Sequence, residues 1–342
     1  MRASSTPAAA IFGCAGPVLT DDEKRFFERV DPLGFILFAR NVESPDQVRA
    51  LVDALRASVG RRAPVLIDQE GGRVQRLRPP HWRRRAPMAE YGRLALRDRD
   101  LARRAAALHA RLIASELLAL GIDVDCAPVL DVPAEGMTDA IGNRAISSDP
   151  AIVAEIGRAV RDALLAAGAM PVIKHLPGHG RALVDSHGAL PVVRASRAEL
   201  AATDLVPFKA LADSPWGMTC HCVYSAVDPE RPATASPKVI GELIRGEIGF
   251  AGVLVTDDLS MGALSGGFDQ RARAALAAGC DLALHCNGKM DEMEGVARGL
   301  APLSDAAGER LARAETMRRA SPEPAPEDSE ATLARWLGEA AA

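Results

Sequence analysis

The chain has 342 residues, 48% of them hydrophobic, which is enough for a sizeable core and excludes disorder over most of its length. Its 41 basic residues stand against 45 acidic ones, a formal net charge of −4, unlike the basic footprint usual in a nucleic-acid binder. No apolar run approaches the roughly 18 residues of a membrane span, and the length suits either two domains of about 150 residues or one α/β barrel of about 250 or more.

In chain order, Met1-Arg2-Ala3-Ser4-Ser5-Thr6-Pro7 carries no apolar signal-peptide core ahead of the first strand. Short apolar runs then recur at 34–38, 64–67, 124–127, 171–173, 217–219, 252–255 and 281–284. Gly, Pro and Asp bound them, which marks strands rather than pieces of buried helix. Between them lie Ala-, Leu- and Arg-rich helical patterns, for example 98–120 and 150–168. This βαβα rhythm predicts a parallel sheet with helices outside, and seven or eight units predict a closed barrel rather than an open sheet. No internal repeat is visible. The chain ends differently: the proline-rich, acidic stretch 321–328 reads as an extended linker. A short amphipathic helix at about 329–340 should then dock through Leu333, Trp336 and Leu337. The expected division is therefore a barrel over 1–320 and a tail over 321–342.

Two compositional features invite over-reading. Only five of the basic residues are lysines, so runs such as Arg83-Arg84-Arg85 reflect arginine-biased composition and read as solvated surface. The six cysteines, at 14, 126, 220, 222, 280 and 286, mostly sit in apolar runs, where a thiol acts as a small hydrophobe. Their spacing is no disulfide framework, which predicts a reducing, cytoplasmic setting. Cys220-His221-Cys222 lacks a second ligand pair and is a weak zinc signal.

Polar residues gather just after the strands: Asp68-Gln69-Glu70, Asp131, Lys174-His175, His221 and Asp257-Asp258. In a parallel barrel these positions meet at one rim, where active sites form. Any one of them could be a helix cap or a satisfied loop residue, but the set together points to an enzyme. Three histidines (His175, His179, His187) and Asp185 lie within 13 residues, a pattern that could hold a metal. Pro177 and Gly178, however, break the helix that would align His175 with His179. Asp185 and His187 are spaced so that, in an extended stretch, the carboxylate could polarise the imidazole as a proton donor and acceptor. Asp257 ends an apolar strand as a nucleophile or electrostatic stabiliser would. Asp258 should point elsewhere and cap the next segment, although spacing alone does not choose between the two.

Several motifs occur in one order: Phe35-Ile36-Leu37-Phe38-Ala39-Arg40-Asn41, then Asp68-Gln69-Glu70-Gly71-Gly72-Arg73-Val74-Gln75-Arg76. Lys174-His175-Leu176-Pro177-Gly178-His179-Gly180, Asp185-Ser186-His187 and Thr256-Asp257-Asp258-Leu259-Ser260-Met261 follow. In this the chain resembles the family 3 glycoside hydrolases, in the bacterial β-N-acetylhexosaminidase branch, from about residue 10 to 290. The resemblance implies a single (β/α)8 TIM-type barrel and a retaining exo-glycosidase acting on peptidoglycan fragments during cell-wall recycling. It implies Asp257 as nucleophile, His187 supported by Asp185 as acid/base, and Asp68, Arg76, Arg144, Lys174 and His175 as the groups that bind terminal N-acetylglucosamine. Ala145-Ile146 departs from the Ser-Phe usual after that arginine. The expected partner is a small carbohydrate or muropeptide, with no nucleic acid, membrane, cofactor or metal. Nothing in the residues sets the oligomeric state, and a monomer is compatible with them. Rival readings are a β-glycoside phosphorylase, another family 3 β-glycosidase, a Schiff-base aldolase using Lys174, and a non-catalytic sugar-binding barrel.

Overall fold

The computed structural model describes residues 6–136, 139, 141–186, 188–318, 325 and 328–338. Eight parallel strands close into a ring: β1 (Ala8–Phe12), β2 (Pro32–Leu37), β3 (Val65–Ile67), β4 (Val124–Asp125), β5 (Met170–Leu176), β6 (Trp216–Thr219), β7 (Val253–Asp258) and β8 (Leu282–His285). Each strand pairs with its neighbours in sequence, and β1 pairs with β8 to complete the circle. This is the (β/α)8 barrel that the strand rhythm predicts. All seven expected runs fall on barrel strands. The eighth, β1, begins with three alanines and shows no β-branched residue before Ile11, so its local signal is weak.

Helices cover the outside: α1 (Asp21–Val30), α2 (Pro45–Val59), α3 (Met88–Ala95), α4 (Arg99–Leu118), α5 (Pro150–Ala166), α6 (Arg197–Ala202), α7 (Leu205–Ala210), α8 (Phe268–Ala278), α9 (Met290–Gly299), α10 (Asp305–Met317) and α11 (Ser329–Leu337). A wide helical segment, Val239–Glu247, stands between β6 and β7. Their ends follow local chemistry. Ser44 caps α2 through the amide of Gln47, Pro45 opens it, and Gly60 closes it in the left-handed conformation. None of the described helices is long and apolar enough to cross a membrane.

The strands alternate between two cores. Ile36, Leu66, Val172, Val253 and Val255 pack inside the barrel with Trp216 and Met218. Leu37, Ile67, Ile173 and Leu254 pack outward against the helices. Because side chains alternate along a strand, the inward series 253, 255 carries on to Asp257. In the same way Leu66 leads to Asp68 and Val172 to Lys174. Burial of the apolar interior thus aims these three polar groups at the C-terminal mouth.

The linker expected at 321–328 lies outside the described residues except for Ala325 and Asp328. The helix expected after it is α11, which packs on α3 and α4 with Leu333 buried and Trp336 and Leu337 against the core. Arg85 is buried, contrary to the solvated-surface reading of its arginine run, because it has two carboxylate partners: it donates to Glu330 of α11 at 2.8 Å and pairs with Glu116 of α4. Removing one carboxylate leaves a buried guanidinium short of a partner. Because Glu330 is about a third exposed, solvent recovers part of the loss. Glu330→Ala should therefore cost about 1–2 kcal/mol, less than a fully buried pair. Denaturant unfolding checks this, and an unchanged midpoint would show that the pair does not hold α11.

Candidate active site

Three chain segments deliver one connected polar network to the barrel mouth. Asp68, just past β3, accepts from Lys174 Nζ at 2.8 Å and from Arg76 at 2.9 Å. Glu70, two residues on and therefore on the same face, is gripped by Arg144 through two parallel bonds of 2.9 and 2.8 Å. Lys174 Nζ also reaches Glu70 at 2.6 Å. Two carboxylates thus face three cations in a buried setting, where an unpaired charge would cost several kcal/mol. Burial opposes ionisation of Glu70, but Arg144 and Lys174 overcome it and hold the carboxyl down to about 2. Burial likewise opposes ionisation of Asp68, and Lys174 and Arg76 hold it well below the usual carboxylate range. Lys174 remains protonated: burial disfavours its charge, but Asp68 and Glu70 more than compensate.

The Lys174–His175 step breaks strand alternation. The register of β5 against β6 shifts between Lys174 and Leu176, so both side chains serve the mouth. His175 Nδ1 lies 2.7 Å from Asp131 Oδ2. Asp131 Oδ1 accepts the backbone amides of His175 at 3.2 Å and His179 at 2.7 Å. This one buried carboxylate therefore ties the end of β5 to the turn through Pro177 and Gly178. Burial resists its charge, while His175 and His179 bring Asp131 down to about 2.

Asp257 stands at the inward end of β7, half-buried, with Oδ1 accepting the amide of Asp258 at 2.8 Å. Burial raises its pKa, but His175, His221 and Lys174 lie close enough to hold the carboxyl below the ordinary value. It is a charged, anchored carboxylate at neutral pH. Asp258 is committed elsewhere: it accepts from the backbone and hydroxyl of Ser260 and from the amide of Cys286. His221, buried near Asp257, has one ring nitrogen 2.8 Å from Thr234 Oγ1 and the other 2.9 Å from the Asp258 carbonyl. The neighbouring Cys220 and Cys222 are buried thiols.

Of the remaining sequence candidates, His187 lies outside the described residues. Asp185 is exposed on the loop that follows β5. Ser186, between them, is buried; its hydroxyl lies 3.2 Å from His179 Nε2 and its carbonyl accepts from the Ala263 amide at 3.2 Å. Ala145 and Ile146, the departure from the family pattern, are both buried, and Arg144 keeps its fork on Glu70. Four groups that the sequence places after the strands or in the histidine cluster, but to which it assigns no sugar-binding or catalytic role, enter the network here: Glu70, Asp131, His179 and His221. Glu70 carries a signal that could have been read, since residues two apart on an extended segment share a face. Nothing local marks the partners of Asp131.

The depressed carboxylates set an acid limit. A group whose folded pKa lies below its unfolded value adds stability above the unfolded value, and that stability disappears as pH falls through the folded value. With Glu70 and Asp131 near 2 and unfolded carboxylates near 4, unfolding free energy should drop between about pH 4.5 and 2. Asp131→Asn should shallow that slope in urea titrations. A slope identical to that of the parent would exclude Asp131 as a contributor.

A parallel barrel whose mouth presents an anchored carboxylate beside a dense network of paired charges is compatible with a glycoside hydrolase. The comparisons agree. Residues 21–314 match the glycosyl hydrolase family 3 N-terminal domain. A β-hexosaminidase of Alkalilimnicola ehrlichii is 46% identical over 286 residues, covering 81% of this chain and 80% of that one. One from Stenotrophomonas maltophilia is 41% identical, covering 81% and 83%. The crystal structure of NagZ from Neisseria gonorrhoeae in complex with N-trifluoroacetyl-D-glucosamine superposes with a TM-score of 0.86 at 32% identity, over 97% of this chain and 98% of that one. The chain belongs to glycosyl hydrolase family 3, in its β-hexosaminidase branch.

Proposed function

We propose that this protein is a retaining exo-β-N-acetylglucosaminidase that removes terminal β-linked N-acetylglucosamine from peptidoglycan fragments. The substrate would be N-acetylglucosaminyl-1,6-anhydro-N-acetylmuramic acid with or without its peptide, met in the cytoplasm during cell-wall recycling. The observation that carries the reading is Asp257: a charged, anchored carboxylate on the inward end of β7, facing the Asp68, Glu70, Arg144 and Lys174 network. The NagZ structure with a bound N-acylated glucosamine supports the choice of sugar. The cysteines, all buried as free thiols, suit a reducing compartment.

In this reading the sugar hydroxyls bind to Asp68, Arg76, Arg144, Lys174 and His175. Charged partners in a fixed fork give short, directional bonds and hold the anomeric carbon in line with Asp257. The Asp257 carboxylate attacks that carbon as the glycosidic bond breaks, and His187, oriented by Asp185, gives its proton to the departing oxygen. A glycosyl–aspartate ester forms. Neutral His187 then takes a proton from water, the water oxygen bonds to the anomeric carbon, and the ester breaks with net retention. A histidine in place of the second carboxylate removes the usual distance rule for two carboxylates.

The test is to give the protein the anhydro-disaccharide and a panel of aryl β-glycosides, and to follow the anomer released, with and without phosphate. The β-anomer of free N-acetylglucosamine, formed equally without phosphate, is the expected product. A sugar 1-phosphate formed only with phosphate would favour the phosphorylase, and faster cleavage of β-glucosides would favour another β-glycosidase. A hydrogen-bonding pocket should penalise the missing 2-acetamido group heavily.

A further inference from the structure

Glu70 is held from behind as well as in front. Its side chain faces the mouth on Arg144 and Lys174, while its backbone carbonyl faces away, towards α4. There His109 of α4, fully enclosed, places Nε2 3.3 Å from that carbonyl. The other ring nitrogen, Nδ1, lies 2.8 Å from the hydroxyl of Tyr91 on α3, which is also buried. The rings of Tyr91 and His109 pack edge to face with centroids 5.1 Å apart. Only one proton arrangement satisfies all three groups. A carbonyl oxygen can only accept, so Nε2 carries the hydrogen. Nδ1 is then the acceptor, and the tyrosine hydroxyl donates. Burial and the guanidinium of Arg85 push His109 down to about 3, so the ring is neutral, as this arrangement requires.

The contact is tight. A Cβ on Gly71, the next residue after Glu70, would lie 3.0 Å from His109 Cε1 and 2.5 Å from the Ala86 carbonyl. Gly71 also has φ near +90°, a conformation that glycine accepts without strain. The same helix α3 supports the opposite side of the ion pair. A Cβ on Gly92 would lie 1.6 Å from the carbonyl of Ile146, so the segment that carries Arg144 rests directly on the helix backbone. Helix α3 therefore backs Glu70 through His109 of α4 and directly backs the segment of the arginine that grips it.

We propose that Tyr91 and His109 are positioning residues of the sugar pocket. They fix the backbone of Glu70, and so the orientation of its carboxylate towards Arg144 and Lys174, from outside the pocket. The inference rests on the reading that this network binds the sugar, and the experiment separates failure of one from failure of the other. The parent protein and the variants Tyr91→Phe, His109→Gln, His109→Leu, Glu70→Gln and Tyr91→Phe/Glu70→Gln would be assayed on an aryl β-N-acetylglucosaminide with an activated leaving group.

Tyr91→Phe should raise KM roughly 3–10-fold, the scale of one lost hydrogen bond, with kcat changed by less than about 2-fold. His109→Leu should do at least as much. His109→Gln, which can still donate to the Glu70 carbonyl, should recover part of the loss. Above all, the effect of Tyr91→Phe should shrink to within about 2-fold when Glu70 is already Gln, because residues that act through one another are not additive. A merely structural Tyr91 would lower the melting temperature but leave KM unchanged, or would multiply with Glu70→Gln at full strength. Either result overturns the positioning role. An unchanged KM in Glu70→Gln alone would overturn the sugar-pocket reading itself, and this inference with it.

Discussion

Asp257→Ala is expected to lower turnover of aryl β-N-acetylglucosaminides by on the order of 10⁴-fold or more while the barrel still folds, the scale seen when a nucleophile is removed. The carboxylate sits at the strand end, half-exposed to the mouth, and its single backbone anchor is the amide of Asp258. Deleting it removes no core contact, since the apolar packing of β7 is made by Val253, Leu254 and Val255. Chemical trapping gives the sharper test. A 5-fluoro glycosyl fluoride should label one peptide, at Asp257, because the ring fluorine slows both oxocarbenium-like steps while the good fluoride leaving group speeds only the first, so the ester accumulates. Asp258 is the natural competitor, but its oxygens already accept from Ser260 and Cys286. Label on Asp258 or on Glu70 would refute the assignment.

His187→Ala carries the second largest expected effect, and its signature is selectivity. Removing a general acid costs about 10²–10⁴-fold where the leaving group needs a full proton and much less where the leaving group is an activated phenol. The natural disaccharide should therefore lose most of its turnover, and dinitrophenyl substrates should lose little in the glycosylation step. Asp185→Ala should reproduce the pattern in milder form, since it would act on the imidazole and not on the substrate. Ser186, buried between the two, is held by His179 and by the Ala263 amide, so the loop has a fixed post at that point. A loss that is equal across a leaving-group series would take His187 out of the acid role.

Much of this protein is legible residue by residue. The seven apolar runs fall on barrel strands because a strand buried on both faces leaves a continuous apolar stretch, and Gly, Pro and Asp punctuate it. The inward direction of Asp68, Lys174 and Asp257 follows from alternation once the inward apolar residues are known. The weak strand β1 escapes this logic because alanine carries little strand signal. His175 escapes it because the register of β5 shifts at that step.

By itself, then, the sequence determined the barrel, the order of its elements and the motif positions that reach its mouth, because periodicity and turn chemistry act over a few residues. It could not determine which buried charge meets which. Glu70 pairs with Arg144 across 74 residues and Asp131 with His175 across 44. Tyr91 and His109, on two outer helices, meet behind Glu70. A buried charge must find a partner, because desolvation is costly. Which partner it finds depends on the closure of the ring and the packing of helices against it, and those contacts exist only in the folded chain.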